Sequence, residues 1–180
     1  MVGNQSLKIL AVQAIRSRIL PARNARNGYP IAFAKLVFTD YRFLEDQLAV
    51  TYAEENWYCF ALDKKAPLWF RRYFVILSTC LPNVLLSDEE WNADSNGHYH
   101  NFAHLDCLRK LSDKQWNYVV IMQNHDLIIK TNDELATIFK FLNGINDIQL
   151  NKCPGHVCQD RLEKNLGKLK LCPKHLNETE

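Results

Sequence analysis

The sequence predicts an α/β fold in which flanking helices cover a mostly parallel sheet. Short apolar runs typical of buried strands alternate four times with segments that repeat apolar residues at helical spacing. The chain has 180 residues, of which 47% are hydrophobic and 23% are charged, as in globular proteins with one core-bearing domain. Crossovers between parallel strands are right-handed almost without exception, so the order of the elements restricts the topology further.

The predicted strands are short and rich in aliphatic and aromatic residues. The first is mostly apolar along its whole length, which is the pattern of a strand buried on both faces. The second is rich in aromatic residues, and the third is the shortest. We predict these four strands at residues 31–38, 57–62, 83–86 and 116–122.

The first two predicted helices follow the first and second strands. Asp40 stands at the expected N-cap of a helix whose apolar residues recur at helical spacing. Pro67 fits the start of the next helix, which we expect to run to about Thr79, because the N–H that proline lacks would be unpaired there. The apolar stripe of the first of these helices consists of Phe43, Leu44, Leu48 and Tyr52.

Two further helices are predicted from the second half of the chain. The third helix begins at about Tyr99. The fourth follows a capping box from Thr131 to Glu134, whose hydroxyl and carboxylate satisfy reciprocal backbone N–H groups, and it ends at Gly144, which suits a left-handed cap. The residues expected to be buried are Phe102, Leu105, Leu108 and Leu111 in the third helix, and Leu135, Ile138, Phe139 and Leu142 in the fourth.

Composition divides the chain into three segments. Residues 1–28 are basic and end in a polar run typical of a linker, residues 29–147 carry the α/β pattern, and residues 148–180 form a Cys-rich tail.

A net charge of +2 does not support a nucleic-acid or membrane-surface partner. No apolar stretch reaches the ~20 residues of a membrane span. The apolar run at residues 9–15 and the basic start of the chain are compatible with a signal peptide or a transit peptide, but no clear targeting segment is evident.

Three carboxylates are predicted at the carboxyl ends of strands, where ligands bind in open α/β sheets. Asp40 follows the first strand, Asp63 the second and Asp126 the fourth. Such groups accept hydrogen bonds from sugar or ribose hydroxyls, or hold a metal. For Asp40 we prefer the interpretation as a helix cap. Asp63 fits a functional site and a surface turn about equally, and the polar loop around Asp126 favours a functional role.

Two clusters of histidine and cysteine raise the question of a metal. The first spans residues 97–106, where solvated or hydrogen-bonded histidines are preferred over a site made by His98, His100, His104 and Asp106. The second lies in the tail, where a zinc site competes with disulfides or free thiols. Its members are Cys153, His156, Cys158, Cys172 and His175.

Five sequence blocks follow one another along the chain: Tyr29–Phe33, Asn56–Asp63, Leu77–Val84, Leu105–Leu108 and Asp126–Asn132. Taken together, they resemble the core-2/I-branching β-1,6-N-acetylglucosaminyltransferase family. Each block is weak by itself, but their shared order makes a generic α/β domain a poor explanation. The spacing between the first two blocks is also that of the family. The resemblance covers about residues 29–147.

The resemblance implies a GT-A-like fold and transfer of N-acetylglucosamine from UDP-GlcNAc to a glycan hydroxyl with inversion at the anomeric carbon. It implies no cofactor and no metal, because the family neutralises the departing diphosphate with side chains. The positions that match the family's nucleotide-sugar site are Leu36, Asp63, Tyr99 and Asp126, although Ile128 stands where the family has proline.

The resemblance also implies a disulfide between Cys59 and Cys107, whereas Cys80 matches a cysteine whose family partner lies upstream of the domain. It further implies a protein of the Golgi lumen or membrane whose partners are a nucleotide sugar and a glycan acceptor. Family members carry a membrane anchor, and none is evident here. Sequons at Asn4 and Asn177 agree with a lumenal location.

The family's catalytic base belongs to a later part of its domain than the resemblance reaches. An inverting transfer needs a carboxylate to deprotonate the attacking hydroxyl, so we assign no catalytic residue here and expect a truncated, nucleotide-binding half of the fold. Whether this chain catalyses transfer by itself stays open. The alternative is a non-catalytic binding module, stapled by zinc through Cys153, His156, Cys158 and Cys172.

Overall fold

The predicted alternation of strands and helices is present in the computed structural model, which describes residues 12–20 and 27–147. Each of the four predicted strands forms, with its ends displaced by at most two residues. The strands are β1 (Ile31–Val37), β2 (Trp57–Leu62), β3 (Val84–Leu86) and β4 (Tyr118–Met122). The helices are α1 (residues 12–19), α2 (Tyr41–Thr51), α3 (Leu68–Cys80), α4 (His100–Leu111) and α5 (Asn132–Leu142).

Within the described residues, one parallel sheet has the strand order β3-β2-β1-β4. β1 pairs with β2 on one edge and with β4 on the other, and all seven of its residues are buried. The order reverses direction between β1 and β4, since the chain first builds outwards through β2 and β3 and then returns to the opposite edge. Open α/β sheets bind ligands beside such a reversal, outside the carboxyl ends of the strands.

The two faces of the sheet carry different side chains. One face presents Ile31, Phe33 and Val37 to a large apolar core, to which α1, α2, α3 and α5 contribute. The other face has small residues, which pack against α4 in a second core. These small residues are Ala32, Ala34, Cys59 and Ala61. Small side chains on the sheet let α4 approach the strands closely.

A disulfide joins this second face to α4. Cys59 of β2 and Cys107 of α4 are both buried, and the bond predicted from the family resemblance is present. Cys80, at the end of α3, is a buried free thiol whose sulfur lies 3.9 Å from the carbonyl oxygen of Val12 in α1. The cysteines of the tail lie outside the described residues.

The helical spacing in α4 predicted only part of its buried face, and Leu108 is half-buried. Of the four residues expected to be buried, Leu111 is buried, whereas Phe102 and Leu105 are 51% and 41% exposed. Ala103 and Cys107 meet the sheet instead. Because the opposing strands present small residues, close packing favours Ala103 and Cys107 in the middle of α4, whereas Leu111 is buried at its end.

The prediction for α5 needs a similar correction. Its capping box at Thr131 forms as expected, and Asn143 ends the helix in the left-handed conformation. However, Ile138 is 41% exposed, and the buried residues are Asn132 and Ala136. Leu135 and Phe139 are partly buried and pack against the core, and Leu142 is also only partly buried.

Part of the basic N-terminal segment contributes to the core, which the sequence pattern did not indicate. In α1, Ile15 and Ile19 are buried among residues of the first face. Arg18 pairs with Glu45 of α2, whose side chain is only 2% exposed. A buried carboxylate without a cation is costly, so this ion pair ties α1 to the domain. No helix of the described residues is long and apolar enough to cross a membrane.

We predict that Arg18→Met lowers the free energy of unfolding by about 1–3 kcal/mol. The substitution leaves Glu45 buried without its cation, and the partial exposure of Arg18 reduces the loss relative to a fully buried pair. Chemical denaturation at neutral pH measures the difference. Arg16→Met is the control, because Arg16 is exposed on the same helix, and it should change stability by less than about 0.5 kcal/mol. Equal effects of both substitutions would contradict this role of the ion pair.

Candidate active site

A cleft of about 470 Å³ lies where β1, β2 and β4 end. Each of these strands, or the turn that follows it, contributes to the wall, and the loop before α4 completes it. The carboxyl ends of the parallel strands therefore converge on one concave surface beside the reversal of strand order. The lining residues are Leu36, Phe38, Asp63, Lys65, Ala93, Asp94, Ser95, His100, Gln123 and Asn124.

Asp63 is the buried carboxylate of this cleft, with only 1% of the residue exposed. Its backbone N–H donates to the carbonyl of Val37 at 3.0 Å, which continues the pairing of β2 with β1 by one residue. Its Oδ1 accepts a hydrogen bond from the backbone N–H of Lys65 at 2.7 Å. Carboxylate oxygens can each accept more than one hydrogen bond, so Asp63 retains capacity for the hydroxyls of a ligand.

Leu36 lies on β1 and is 4% exposed, on the face of the sheet that packs against α4. With Phe38, it supplies an apolar wall opposite the polar side chains of the cleft. The structure therefore brings together two of the residues predicted from the resemblance, Leu36 and Asp63. An apolar wall beside a buried carboxylate suits a ligand with one flat, weakly polar part and one hydroxyl-bearing part.

Tyr99 does not line the cleft but directly precedes His100, which does. It has a left-handed backbone with φ of 62° and is 50% exposed. Its ring stacks on Trp91, with 5.9 Å between centroids, and the ring of Phe102 lies 5.0 Å from Trp91 and 6.2 Å from Tyr99. A non-glycine residue with positive φ is uncommon, and such residues occur often at binding sites. A ligand contact by Tyr99 remains a prediction.

Asp126 also stands outside the cleft lining, and its carboxylate shapes the loop after β4. Its Oδ2 accepts from the backbone N–H of Gln123 at 2.6 Å, and its own N–H donates to the carbonyl of Gln123 at 3.1 Å. The turn so closed places Gln123 and Asn124 in the wall of the cleft. In the described structure Asp126 acts on the site through this turn, and a direct contact with ligand remains a prediction.

Asn124 is a site residue that the sequence reasoning did not identify. It is 2% exposed, and its Oδ1 accepts from the backbone N–H groups of Phe38 and Thr39 at 2.7 and 3.1 Å. These bonds tie the loop after β4 to the end of β1. The polar run of residues 123–126 was the available signal, but nothing in it distinguished the asparagine from its neighbours.

A second contact between the same two loops corrects the prediction for Asp40. The residue stands at the N-cap of α2, but it has a left-handed φ of 56° and its side chain makes no capping hydrogen bond. Its carboxylate instead contacts Nε2 of His125 at 2.7 Å. The left-handed backbone at Asp40 is not the extended conformation of a capping residue, so the cap interpretation was wrong.

Lys35 of β1 makes a third contact with the loop after β4, from inside the larger core. Its ammonium donates to the side chain of Gln47 and, at 2.9 Å, to the carbonyl of Asp126. The residue is 3% exposed, and burial lowers the pKa of Lys35 to about 8, against a smaller opposing influence of Asp126. A buried lysine thus holds the loop after β4 from beneath.

The histidine cluster resolves into separate contacts. His98 pairs with Asp94 at 2.6 Å, while Asp106 accepts hydrogen bonds from Trp91 at 2.6 Å and from Arg109 at 2.8 Å. Burial lowers the pKa of His104, and the neighbouring His100 lowers it further. Among the described residues no group of three histidine, cysteine or acidic side chains is placed to hold a metal. The proposed zinc ligands of the tail lie beyond those residues.

A family profile described as Core-2/I-Branching enzyme matches residues 31–177. This match includes the α/β segment and extends into the Cys-rich tail, beyond residue 147, where the motif resemblance ends. The chain thus has family-like sequence over a longer range than its individual motifs indicate.

Curated relatives of this chain are named as β-1,6-N-acetylglucosaminyltransferases. Over 138 residues it is 30% identical to beta-1,3-galactosyl-O-glycosyl-glycoprotein beta-1,6-N-acetylglucosaminyltransferase 4 of Danio rerio, which covers 76% of this chain and 32% of the relative. Over 121 residues it is 31% identical to human N-acetyllactosaminide beta-1,6-N-acetylglucosaminyl-transferase, covering 66% of this chain and 30% of that protein. The chain spans about a third of the length of the curated relatives it matches.

Lys35 generates a prediction about pH. Its pKa is lowered in the folded state, so from about pH 8 to its unfolded value near 10.5 the unfolded chain binds more protons and stability rises with pH. We expect wild type to gain about 1–2 kcal/mol more stability than Lys35→Met between pH 7.5 and pH 10, allowing for solvent screening. Denaturation at both pH values measures this difference.

The control for this experiment is Lys130→Met, which removes an exposed ammonium from the start of α5. It should retain the pH dependence of the wild type. If Lys35→Met retains that dependence as well, then the ammonium of Lys35 is not held in a buried, charge-disfavouring position.

Proposed function

Because the chain belongs to the core-2/I-branching enzyme family, we propose that it binds UDP-GlcNAc as the donor of a branching N-acetylglucosaminyltransferase. The observation that carries this proposal is the cleft in which Asp63 lies buried beside the apolar wall of Leu36. In this arrangement the uracil base packs along Leu36, and the carboxylate of Asp63 accepts hydrogen bonds from the ribose hydroxyls.

The proposed reaction is transfer of N-acetylglucosamine to a hydroxyl of a glycan acceptor, with inversion at the anomeric carbon. The relatives are named as β-1,6-N-acetylglucosaminyltransferases, which supports the choice of N-acetylglucosamine as the transferred sugar. Such a transfer needs a general base at the acceptor hydroxyl and cations at the departing diphosphate. The described residues contribute the donor cleft, and we assign the base to no residue within them.

We further propose that donor binding is independent of metal and takes place in the Golgi lumen. Among the described residues the cleft contains a lysine and an imidazole beside its two carboxylates, Asp63 and Asp94. The disulfide Cys59–Cys107 supports an oxidising compartment, since such bonds are rare in the cytosol. We therefore propose a nucleotide sugar and a glycan acceptor as the partners of this protein. Membrane association is expected for the family, and we propose it here on that ground.

The alternative of a non-catalytic, zinc-stapled module depends on residues 153–175, which lie outside the described part of the structure. No described contact favours it. The family profile reaches residue 177 and so includes this segment, which favours a continuous transferase domain over a separate metal module.

Donor binding is tested by thermal unfolding with and without UDP-GlcNAc. A ligand at ~100 times its dissociation constant should stabilise the wild type by about 2.7 kcal/mol. Asp63→Asn should lose most of this stabilisation, because an amide replaces the carboxylate that accepts the ribose hydroxyls. Asp113→Asn is the control, since Asp113 is an exposed aspartate outside the cleft, and it should behave as wild type. A cooperatively folding wild type that UDP-GlcNAc does not stabilise would contradict the proposal.

Metal independence gives a separate prediction. Excess EDTA should leave the dissociation constant of UDP-GlcNAc unchanged within about twofold, because side chains rather than an ion neutralise the diphosphate. Isothermal titration calorimetry of the dialysed protein measures this constant. Binding that disappears in EDTA and returns with Mn²⁺ or Mg²⁺ would show that the donor site needs a metal.

A further inference from the structure

Lys65 occupies a distinctive position in the cleft. It lies two residues after Asp63, and its backbone N–H donates to Oδ1 of that carboxylate at 2.7 Å. Its ammonium donates to the carbonyl of Ala93 and lies 3.8 Å from Oδ2 of Asp63. The side chain is 54% exposed. The residue therefore has one role through its backbone, which fixes Asp63, and a separate one through its exposed ammonium.

The charges of the cleft give this ammonium its significance. Among the described residues that line the cleft, Lys65 alone is a lysine or arginine, and two aspartates, Asp63 and Asp94, share the lining with it. Two carboxylates repel a nucleoside diphosphate, which carries negative charge of its own. A ligand with phosphates is therefore favoured in this cleft only where a cation offsets the carboxylates.

The ammonium also has hydrogen-bonding capacity to spare. A lysine ammonium carries three N–H donors, and Ala93 accepts from one of them. The other donors face a cleft rather than a packed core, since the side chain is half exposed. An exposed four-carbon stem also allows the ammonium to move towards a bound anion, which a buried lysine such as Lys35 cannot do.

We infer that Lys65 is a phosphate-binding residue of this site, whose ammonium contacts the diphosphate of a uridine nucleotide held by Asp63. This inference rests on the proposed function and extends it to a residue that the family resemblance does not assign. Asp63 is buried and accepts the ribose hydroxyls, while the ammonium of Lys65 lies 3.8 Å from its Oδ2 on a side chain that is half exposed. This exposed side chain can follow the phosphates as they extend from the ribose.

The separation of the two roles of Lys65 makes the inference testable. Lys65→Met keeps the backbone N–H that fixes Asp63 and nearly the same side-chain length, but it removes the ammonium. Lys65→Arg keeps a positive charge. Lys64→Met is the matched control, because Lys64 is the preceding residue, is exposed and does not line the cleft. Calorimetric titration of each protein with uridine and with UDP separates phosphate contacts from nucleoside contacts.

We expect Lys65→Met to bind UDP roughly ten-fold or more weakly than wild type, since a hydrogen bond to a charged group is lost. Its affinity for uridine should stay within about twofold of wild type. Lys65→Arg should recover most of the UDP affinity, and Lys64→Met should match wild type for both ligands. Thermal unfolding of the unliganded variants checks that each remains folded.

Two results would overturn the inference while leaving the proposed function intact. Unchanged UDP affinity in Lys65→Met would show that its ammonium does not contact phosphate. An equal loss for uridine and UDP would show that Lys65 acts by holding Asp63 or the Ala93 loop. A wild-type chain that binds neither UDP nor UDP-GlcNAc would instead contradict the proposed function, and the role of Lys65 would fall with it.

Discussion

The pairing of β1 with a parallel strand on each edge is the constraint on which the rest of the structure depends. Because β2 and β4 both pair with β1, the ends of these three strands lie side by side. The turn after β1, the turn that begins at Asp63 and the loop after β4 must therefore share one edge of the sheet. Helices cover both faces of this central strand, so every residue of β1 is buried and has to suit a core.

The two faces of β1 satisfy this requirement in different ways. Towards the larger core, the strand carries bulky residues and one lysine, whose ammonium is satisfied by Gln47 and the carbonyl of Asp126. Towards α4 it carries Ala32, Ala34 and Leu36. The small residues admit the helix closely, and Cys59 bonds to Cys107 across the same interface. Leu36, at the end of this face, is where the packed core becomes the wall of the cleft.

Much of the fold, and the position of Asp63 at the end of β2, could be predicted because they depend on local sequence. Apolar runs located the strands, and a carboxylate that follows a buried strand located Asp63. Contacts between distant segments were not predictable in this way. The buried face of α4 depends on the alanines of a strand some seventy residues earlier, and Asn124 acquires its role only beside Phe38. Asp40 illustrates the same limit, since its partner His125 is 85 residues away and competes successfully with a local cap.

The loop after β4 shows why the distant contacts matter for function. It is held by polar contacts at Asn124, His125 and the carbonyl of Asp126, and Ile128 adds an apolar contact with the larger core. Hydrogen bonds are directional, so they fix a loop at a defined distance from its neighbour, whereas apolar contacts tolerate sliding. This arrangement has a cost, because Nδ2 of Asn124 is buried without a hydrogen-bond partner among the described residues. An apolar residue at this position would avoid the penalty but would lose the link to β1, so the asparagine is explained by the two hydrogen bonds that its Oδ1 accepts.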